Sequence, residues 1–417
     1  TGTIGNGVTV GLKTDGTVEA VASTGSAGSI GSPSTFSSAY ATAINAVYDT
    51  NVNKIVVTYT DYPNRYGFAV VGTVSGTSIS FGTPVVFRSS LIYSVSTAFD
   101  SANNKTGSIY RDSSLGNLTS IVGTVSGTTI SFGSATVLYG STVSSDLSMT
   151  YDATYGAFVA TYELSSVGKV QVGSISGTTI SWGTVVSIAG TLGECRGVYD
   201  PDQGKTVLFY YNSSNYFTAI VGSAGSSTFT TGTPVVGLSE ASDYINAVYD
   251  TTSNKMVSSF RTIVGGSQSG SAIVGTVSGT SISFGSRAYY TSGNNYYSAI
   301  SHDIAENKIL VAFRDASNSQ YGTIAVGTVS GTSISFSPSY VLLAITFDDP
   351  SFGLIYDPDV SKNLQFYADG SNSNLGKGIV FTPNTLASNN TSFIGITDAA
   401  ISSAASGSVT IKGGISS

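Results

Sequence analysis

Short runs of alternating apolar and polar residues recur along the whole chain, and no run has the three-to-four-residue spacing of a helix. In the first such stretch, residues 44–49 alternate, and residues 54–60 are rich in β-branched and aromatic side chains. Two further runs, 67–74 and 77–87, flank Ser75-Gly76, where glycine supplies the positive φ of a tight hairpin. The pattern predicts an all-β fold built from four-stranded antiparallel units.

One phrase recurs with little change along the chain. Val-Gly-Thr-Val-Ser-Gly-Thr-Ser-Ile-Ser-Phe-Gly occupies 71–82 and again 274–285, and variants begin at Val122, Val172, Val221 and Val326. A second phrase lies upstream of each copy, with an aromatic residue and Asp followed by Asn-Lys or a looser version, and it occurs once more near the end. Its aspartates are 48 to 54 residues apart and number seven: Asp49, Asp100, Asp152, Asp200, Asp250, Asp303 and Asp357. The chain is therefore a protein of seven repeated units.

A period of about 50 residues with four strands is typical of a β-propeller blade, because such a sheet gains a core only by packing against its neighbours around an axis. The seventh unit lacks its hairpin and fourth strand, while residues 29–36 match 80–87 in their spacing of Ser, Gly, Pro and Phe. We predict a seven-bladed β-propeller of four-stranded blades, closed by an N-terminal strand that completes the last blade. An open array of β-sandwich modules is the alternative.

Two terminal segments lie outside this ring. Residues 1–28 contain a hairpin pattern around Thr14-Asp15-Gly16, and residues 387–417 contain two strand-like runs. We predict three parts: a small N-terminal β arm at 1–28, the propeller at 29–386, and a C-terminal β arm at 387–417. The two arms are expected to pack together as a stalk or collar. We also expect the sequence to be a segment of a longer polypeptide, since it begins at Thr1 without Met.

The composition favours the cell exterior or a virus particle. Only 10% of the residues are charged, and the net charge is −7 with a pI near 4.6. Nucleic acid and anionic membranes select clusters of Lys and Arg that this chain lacks, so neither is an expected partner. No apolar run approaches the roughly 20 residues that span a bilayer, so no membrane insertion is expected. The single cysteine, Cys195, excludes disulfides within the chain and is predicted to be a small core residue.

Candidate catalytic groups are sparse. The single histidine, His302, occupies the aromatic slot of the repeated aromatic-Asp phrase, which predicts a packing role. The repeated aspartates are predicted to cap turns through their side chains rather than to bind metal. The Ser-x-Asp-x-Gly-x-Thr-Trp turn of sialidase-type propellers does not occur, and no pair of carboxylates stands out among the loops that differ between units. From this reasoning we expect a protein that is not an enzyme, with no cofactor and no metal.

The loops at the two ends of the predicted sheets differ in character. Loops between first and second strands, and between third and fourth strands, repeat one pattern. Loops between second and third strands, and the segments that pass from one unit to the next, vary, and we call their end of the sheets the variable face. Divergent loops on a rigid scaffold are where binding usually occurs. The predicted ligand-binding residues there are Tyr40, Tyr62, Arg65, Tyr66, Tyr93, Arg111, Asp112, Tyr216, Tyr244, Arg261, Tyr296, Tyr297, Arg314, Asp315 and Tyr321.

Tyrosine and arginine set among Asn, Ser and Asp suit a glycan, because rings stack on sugar C–H groups and amides and carboxylates hydrogen-bond hydroxyls. The same mixture is typical of a protein-binding surface. A third interpretation is that tyrosine simply suits the edges of sheets and that the loops are spacers.

The repeated 12-residue phrase, the opening at 1–18 and the closing residues 390–414 together resemble virion structural proteins of tailed bacteriophages, especially tail-fibre or appendage proteins of phages that infect cyanobacteria and other aquatic bacteria. The resemblance implies a virion location on the outside of the particle, other virion proteins as partners, a homotrimer, and a propeller displayed for contact with a host surface glycan or protein. It supplies no binding residues. The alternatives are a structural spacer or capsid-decorating protein without a specific ligand and, third, a polysaccharide-degrading enzyme of the appendage.

Overall fold

The computed structural model describes residues 9–12, 18–20, 28–141, 143, 146–188, 190–347, 353–385, 393–397 and 409–410. Every regular element in these ranges is a β-strand, which confirms the predicted all-β fold. The chain divides into two compact bodies, one formed by Thr1–Gly28 with Pro383–Ser417 and the other by Ser29–Thr382.

The larger body contains the repeated units, and its strands follow the predicted order. The first strands are Ser34–Asp49, Ile92–Asp100, Leu147–Asp152, Gly193–Asp200, Val235–Asp250, Asn295–Asp303 and Gly353–Asp357. The second strands are Lys54–Tyr62, Lys105–Asp112, Ala157–Leu164, Lys205–Tyr211, Lys255–Val264, Lys308–Asp315 and Lys362–Asp369. The third strands are Gly67–Ser75, Asn117–Ser126, Val167–Ser176, Tyr216–Ala224, Ser267–Ser278, Tyr321–Ser330 and Leu375–Thr382.

The fourth strand of each unit is shorter than the sequence predicts. Its first part follows the hairpin: Ser78–Phe81, Thr129–Phe132, Thr179–Trp182, Phe229–Thr231, Ser281–Phe284 and Ser333–Phe336. A second part resumes after a break of a few residues and pairs with the same third strand: Val85–Arg88, Thr136–Tyr139, Val186–Ser187, Ala288–Thr291 and Tyr340–Thr346. The predicted continuous strand at 77–87 is therefore wrong. In unit 1 the break begins at Gly82, whose N–H donates to the carbonyl oxygen of Val71, and units 2 to 5 break at the equivalent glycine whether or not a proline follows.

All strand pairs in the larger body are antiparallel, and they form three five-stranded and two nine-stranded sheets. Each nine-stranded sheet joins two units through one long strand. The first part of Val235–Asp250 pairs with the third strand of unit 4, and its second part pairs with the second strand of unit 5. Ser34–Asp49 links units 7 and 1 in the same way.

The N-terminal segment of this body completes the last unit, as predicted. Ser29 pairs with Thr382 and Ile30 pairs with Phe381, while Ser34 pairs with Gly378 further along the same third strand. First strands of neighbouring units contact each other in turn, and Gly353–Asp357 of unit 7 contacts Ser34–Asp49 of unit 1.

The glycine that ends the repeated phrase brings neighbouring units together. At Gly82, a Cβ atom would collide with the carbonyl oxygen of Thr128 in the next unit, and at Gly31 it would collide with that of Thr77. Unit 6 has Ser337 at this position. Its neighbour, unit 7, has no hairpin of the repeated kind, so a side chain is tolerated there. The glycine at this position of the other units thus marks close approach of one backbone to another.

The repeated aspartates cap turns, which confirms their predicted role. Asp49 Oδ1 accepts hydrogen bonds from the N–H groups of Asn51 and Val52, at 2.9 and 3.3 Å, and the other units repeat the arrangement. Four residues after each aspartate the backbone is left-handed, at Asn53, Asn104, Gly156, Gly204, Asn254, Asn307 and Ser361. Asn and Gly adopt this conformation at low cost, which explains the Asn of the Asn-Lys phrase.

The hydrophobic core lies between neighbouring sheets. Val57 and Tyr59 of unit 1 pack with Leu364 and Phe366 of unit 7, and all four are buried. His302 is also buried, with Nε2 3.2 Å from Asp250 Oδ1 of the preceding unit, so its predicted packing role is confirmed. Cys195 is buried too, and burial raises the pKa of its thiol to about 12, as expected of a structural cysteine.

The smaller body holds a four-stranded sheet made from both ends of the chain. Thr9–Leu12 pairs with Val18–Ala20 and with Phe393–Thr397, which pairs in turn with Val409–Thr410. The two predicted arms therefore pair with each other. The predicted turn at 14–16 lies outside the described residues.

Candidate functional site

Antiparallel topology places the variable loops at one end of the sheets. Each second strand ends at the variable face, where a loop connects it to the third strand. Each first strand begins at the same end of the sheets. Ten of the fifteen predicted ligand-binding residues gather at this end in two groups. We call these groups the Tyr93 cluster, formed by Tyr40, Tyr62, Arg65, Tyr93 and Arg111, and the Tyr296 cluster, formed by Tyr244, Arg261, Tyr296, Tyr297 and Arg314.

In the Tyr93 cluster, two guanidinium groups pack against one ring. The Cζ atoms of Arg65 and Arg111 lie 4.8 and 5.2 Å from the centroid of the Tyr93 ring. Arg65 also lies 5.7 Å from the Tyr62 ring, and the Tyr40 and Tyr62 ring centroids are 5.7 Å apart. Tyr62 and Tyr93 are 51% and 41% exposed, so the cluster offers aromatic faces to solvent.

The Tyr296 cluster has the same elements with one addition. Arg261 lies 4.4 Å from the Tyr244 ring and 5.2 Å from the Tyr296 ring, and Arg314 lies 5.8 Å from the Tyr296 ring. Arg261 is buried and forms a bidentate ion pair with Asp243, with N–O distances of 2.7 and 2.5 Å. The carboxylate neutralises one of the two cations and fixes the guanidinium between the rings.

The remaining five predicted residues lie at turns or next to the first residues of third strands. Asp112 is buried, accepts hydrogen bonds from the N–H groups of Ser114 and Leu115 at 3.1 Å, and pairs with Arg88 at 2.7 Å. Asp315 caps the corresponding turn by accepting from Ser317 N–H at 3.0 Å. Two of the three tyrosines, Tyr216 and Tyr321, begin third strands next to such turns, and Tyr66 directly precedes one. The structure thus places Asp112 and Asp315 as turn caps.

A cavity of about 670 Å³ lies between the first strands of units 1 to 6, and Tyr93, Tyr244 and Tyr297 belong to both its wall and the clusters. One repeat position, six residues before the repeated aspartate, contributes a lining residue from each of these units: Ala43, Ser94, Asp146, Glu194, Tyr244 and Tyr297. A second position, four residues before the aspartate, contributes Asn45, Ser96, Ser148, Arg196 and Asn246 from units 1 to 5, and unit 6 contributes Ser298, five residues before its aspartate. The cavity wall is therefore the place where equivalent positions carry different chemistry.

Backbone bulges aim several of these side chains. Ala43, Glu194, Tyr244 and Tyr297 have φ values of 50, 50, 53 and 48°, in the left-handed region. At each of them the pairing of first and second strands shifts register. Left-handed backbone costs free energy for a residue with a side chain, and bulges next to functional sites commonly redirect side chains. The cavity is therefore lined by the part of the repeat in which the regular strand pairing is interrupted.

Units 3 and 4 make one sector of the cavity acidic. Burial raises the pKa of the Glu194 carboxyl to about 6, although Arg196 opposes the effect, and Asp243 and Asp146 raise it further. Burial also raises the pKa of Asp146, and the negative charge of Glu163 raises it further. Arg196 and a hydrogen bond from the Glu194 N–H lower the pKa of Asp146 and offset part of this rise. Glu194 Oε2 accepts from Ile245 N–H at 3.1 Å. Two carboxyl groups with displaced pKa values thus share one cavity with a cation.

A hydrogen-bonded chain holds the polar wall in place. Arg196 Nε donates to Asn246 Oδ1 at 3.3 Å, and Asn246 Nδ2 donates to the carbonyl oxygen of Ser298 at 2.6 Å. Glu163 Oε2 accepts from Leu192 N–H at 2.9 Å. These contacts connect units 3 to 6, so the wall is preorganised before any ligand arrives.

Sequence reasoning missed Asp146, Glu194, Arg196 and Asn246. Asp146 lies in a segment that links units, and the other three lie inside first strands, where alternation alone predicts no exposed site. The usable signal was their fixed spacing of six and four residues before the repeated aspartate, at positions where the units differ. The predicted absence of a carboxylate pair was wrong for the same reason, because Asp146 and Glu194 are 48 residues apart and meet only in the fold.

Together, the antiparallel sheets and the cavity at their variable end define an all-β, propeller-like fold, and solved structures support this assignment. A fungal alcohol oxidase in complex with copper matches with a TM-score of 0.57 at 13% identity, covering 86% of this chain and 77% of the other. The NanB sialidase of Streptococcus pneumoniae, in complex with a chlorobenzyl-ammonio-ethanesulfonate, matches with a TM-score of 0.51 at 11% identity, covering 85% and 70%. A protein from Lactobacillus plantarum has a TM-score of 0.51 at 12% identity, covering 81% and 96%. No protein-family model and no curated protein sequence matches the chain.

These matches correct one expectation. We expected a protein that is not an enzyme, yet two of the similar structures are enzymes, a sialidase and an alcohol oxidase. At identities of 11% and 13%, the matches show the fold alone. The scarcity of catalytic groups in the sequence was therefore a poor reason to exclude an enzyme, because positions that differ between units can supply an asymmetric site.

Two further features concern the described part of the chain only. No helix there could cross a membrane. No group of three or more His, Cys, Asp or Glu side chains there is arranged to hold a metal ion.

Proposed function

We propose that this chain is a virion appendage protein of the tail-fibre or adhesin kind, and that it binds a glycan of the host surface at its variable face. The observation that carries the binding proposal is the cavity of about 670 Å³, whose wall differs from unit to unit at two repeat positions. The virion context is supported by the sequence resemblance alone.

The chemistry around the cavity suits a sugar. Asp146 and Glu194 accept hydrogen bonds, Arg196 donates them, and the amide of Asn246 can do both. Tyr93 and Tyr297 add aromatic surface at the same wall. Sugars present hydroxyl groups around apolar C–H faces, and a polar cavity bordered by rings provides partners for both.

We also propose the finer architecture of a closed seven-bladed propeller. Its support is the pairing of Ser29–Ile30 with Leu375–Thr382 and the contact between the first strands of units 7 and 1. The same proposal includes the three parts of the chain, namely the two arms at 1–28 and 387–417 and the propeller at 29–386. It also includes the homotrimer, the contacts with other virion proteins and the location on the particle surface.

The test is binding of the full chain to an array of immobilised bacterial surface polysaccharides, compared between two tyrosine variants. Tyr62→Ser removes a ring of the variable face, and Tyr155→Ser removes one from an aspartate-capped turn at the opposite end of the sheets. The two rings are 51% and 53% exposed, so the variants are matched in lost apolar surface. We expect Tyr62→Ser, and likewise Tyr297→Ser at the cavity, to weaken binding by roughly tenfold, since ring stacking on a ligand contributes about 1 kcal/mol or more.

Absence of binding to every polysaccharide would contradict the proposal and favour a structural spacer or decoration protein. Binding that Tyr155→Ser weakens as much as Tyr62→Ser would place the site elsewhere. Far-UV circular dichroism and unchanged thermal unfolding serve as the folding control for each variant.

A second function is favoured by one observation, the Glu194 carboxyl with a pKa of about 6 in the same cavity as Asp146. Glycoside cleavage uses a protonated carboxyl as general acid and a second carboxylate on the other side of the bond. Size-exclusion chromatography of a bound polysaccharide after incubation tests this function. Shortening by the wild type that Glu194→Gln abolishes, with binding retained, would establish it, and unchanged polymer length would exclude it for that polymer.

A further inference from the structure

Two like charges meet at one exposed ring in the Tyr93 cluster. Arg65 and Arg111 both pack against Tyr93, and their Cζ atoms are at most about 10 Å apart, the sum of the distances 4.8 and 5.2 Å to the shared centroid. At physiological ionic strength, charges are screened over about 8 Å, so the repulsion between these groups is only partly screened.

The nearest carboxylates in the sequence are already engaged. Asp61 accepts hydrogen bonds from Tyr66 N–H at 2.7 Å and Asn64 Nδ2 at 3.2 Å. Asp112 caps its own turn and pairs with Arg88. Among the described residues, no ion pair joins a carboxylate to Arg65 or Arg111, and Arg111 Nε is buried without a hydrogen-bond acceptor.

In the Tyr296 cluster, a carboxylate neutralises one of the two arginines. There, too, two guanidinium groups pack against one ring, but Asp243 neutralises Arg261 through a bidentate pair. The Tyr93 cluster has no counterpart of Asp243. It therefore keeps two positive charges at a surface of a chain whose net charge is −7.

The backbone holds the unbalanced cluster in place. Arg65 has a left-handed backbone with φ 54°, and its N–H donates to the carbonyl oxygen of Asp61 at 2.6 Å. The carbonyl oxygen of Arg65 accepts from Ile92 N–H at 2.9 Å, which ties the loop to the strand that carries Tyr93. Arg65 and Tyr93 are thus positioned together without a ligand.

We propose that Arg65, Arg111 and Tyr93 form an anion subsite that takes a carboxylate or sulfate group of an acidic polysaccharide. The guanidinium groups donate charge-assisted hydrogen bonds to the anion, and the exposed Tyr93 ring contacts the sugar that carries it. This inference rests on the proposed glycan binding and adds the class of glycan. Nucleic acid also offers anions, but it selects extended clusters of Lys and Arg, and this chain has 17 Lys and Arg among 417 residues.

Affinity electrophoresis of the full chain tests the subsite, with polygalacturonate, dextran sulfate and neutral dextran in the gel. We expect retention by one or both acidic polymers, none by dextran, and a loss of retention between 50 and about 500 mM salt as charges are screened. Arg65→Gln and Arg111→Gln should each weaken retention by roughly tenfold, since a hydrogen bond to a charged group is worth that much. Arg65→Lys, which keeps the charge, should fall between the wild type and Arg65→Gln.

Arg287→Gln is the matched control. Arg287 packs against the Tyr289 ring at 4.6 Å and pairs with Glu240, so this variant loses the same charge outside the Tyr93 cluster. We expect it to retain wild-type binding. An equal loss in Arg287→Gln would show a general charge effect and overturn the subsite, as would equal retention in all variants.

The remaining outcomes separate this inference from the proposed function. Tyr62-dependent binding of neutral glycans without any preference for acidic polymers would overturn the anion subsite and leave the glycan-binding function standing. Failure to bind any polymer would overturn both. Retention by single-stranded DNA as strong as by the acidic polysaccharides would overturn the assignment to a polysaccharide. Selective retention by dextran sulfate or by polygalacturonate would support it and identify the anion as sulfate or carboxylate.

Discussion

Asn53 donates a hydrogen bond from Nδ2 to Oδ1 of Asp359, at 3.0 Å, although 306 residues separate the two along the chain. Nearby, burial together with Asp357 and Asp359 raises the pKa of Tyr48 to about 12. The same relation joins other neighbouring units, where Tyr199 of unit 4 bonds Thr154 of unit 3 and His302 of unit 6 meets Asp250 of unit 5. Units 7 and 1 are thus joined by the kind of contact that joins units within the chain.

Substitution of two glycines tests whether that junction is equivalent to the others. Gly31→Ala and Gly82→Ala each place a Cβ atom against a carbonyl oxygen of the next unit, Thr77 and Thr128, where backbone cannot swing aside. Overpacking of this kind costs about 1–3 kcal/mol, and we expect the two variants to lose similar amounts of unfolding free energy in urea. Ser337→Ala, at the equivalent position of unit 6, should lose less than about 1 kcal/mol. A destabilised Gly82→Ala with an unaffected Gly31→Ala would mean that the ring is open between units 7 and 1.

Replacement of Glu194 by Gln should stabilise the protein at neutral pH. The folded carboxyl has a pKa of about 6 against an ordinary value of 4.5, so its favourable contribution is complete at low pH and is lost as pH rises through 6. Gln keeps an oxygen that can accept from Ile245 N–H and never ionises. We expect Glu194→Gln to be up to about 2 kcal/mol more stable than the wild type at pH 7.5 and equal to it near pH 4.5.

Urea unfolding at the two pH values measures this difference. A variant that is less stable than the wild type at both pH values would show that Glu194 has a structural role. The expected result would instead identify a residue kept at a cost to stability, which is common at functional sites.

The buried histidine predicts the opposite pH dependence. Burial lowers the pKa of His302 below its usual 6.5 even though Asp250 opposes the effect. As pH falls through 6.5, the unfolded chain binds a proton that the folded protein resists, so this group removes stability on acidification, by at most about 1.4 kcal/mol per pH unit. His302→Tyr, which restores the aromatic residue common in the repeat, should gain on the wild type between pH 7.5 and pH 5.5. Parallel stability curves for the two proteins over this range would refute the assignment.

Arg261 and Arg314 should differ sharply although both pack against Tyr296. Arg261 is buried and paired with Asp243, so Asp243→Asn leaves a buried cation without its partner and should cost about 2–4 kcal/mol of unfolding free energy. Arg314→Gln breaks no ion pair of the described residues and should cost under about 1 kcal/mol. Thermal unfolding at neutral pH distinguishes the two, and equal losses would contradict a structural role for the Asp243 pair.

Much of the fold could be predicted from the sequence because the same pattern of strands and turns recurs in seven units. The turn caps at Asp49 and its equivalents, and the pairing of Ser29 with the last unit, follow from local chemistry that is copied along the chain. The break at Gly82 was missed because a strand pattern of β-branched residues continues on both sides of it.

The candidate site was only partly predictable. The Tyr and Arg clusters were found because their residues are in loops that visibly differ. Asp112 was included for its position in such a loop, although it repeats the turn-capping role that Asp61 has at the equivalent position of unit 1. Glu194 was missed because its role depends on a bulge, and a single left-handed residue inside a strand leaves no mark in the alternation of apolar and polar residues.

The left-handed bulge makes the backbone of the cavity wall independent of the side chains that line it. The same backbone irregularity carries Ala43, Glu194, Tyr244 and Tyr297, which differ in size, charge and polarity. The strands on either side of the bulge pair through their backbones in all four units, although these side chains differ. A library randomised at the six cavity positions should therefore yield mostly folded proteins, so that point substitutions can change the charge, size and polarity of the cavity wall without changing the fold.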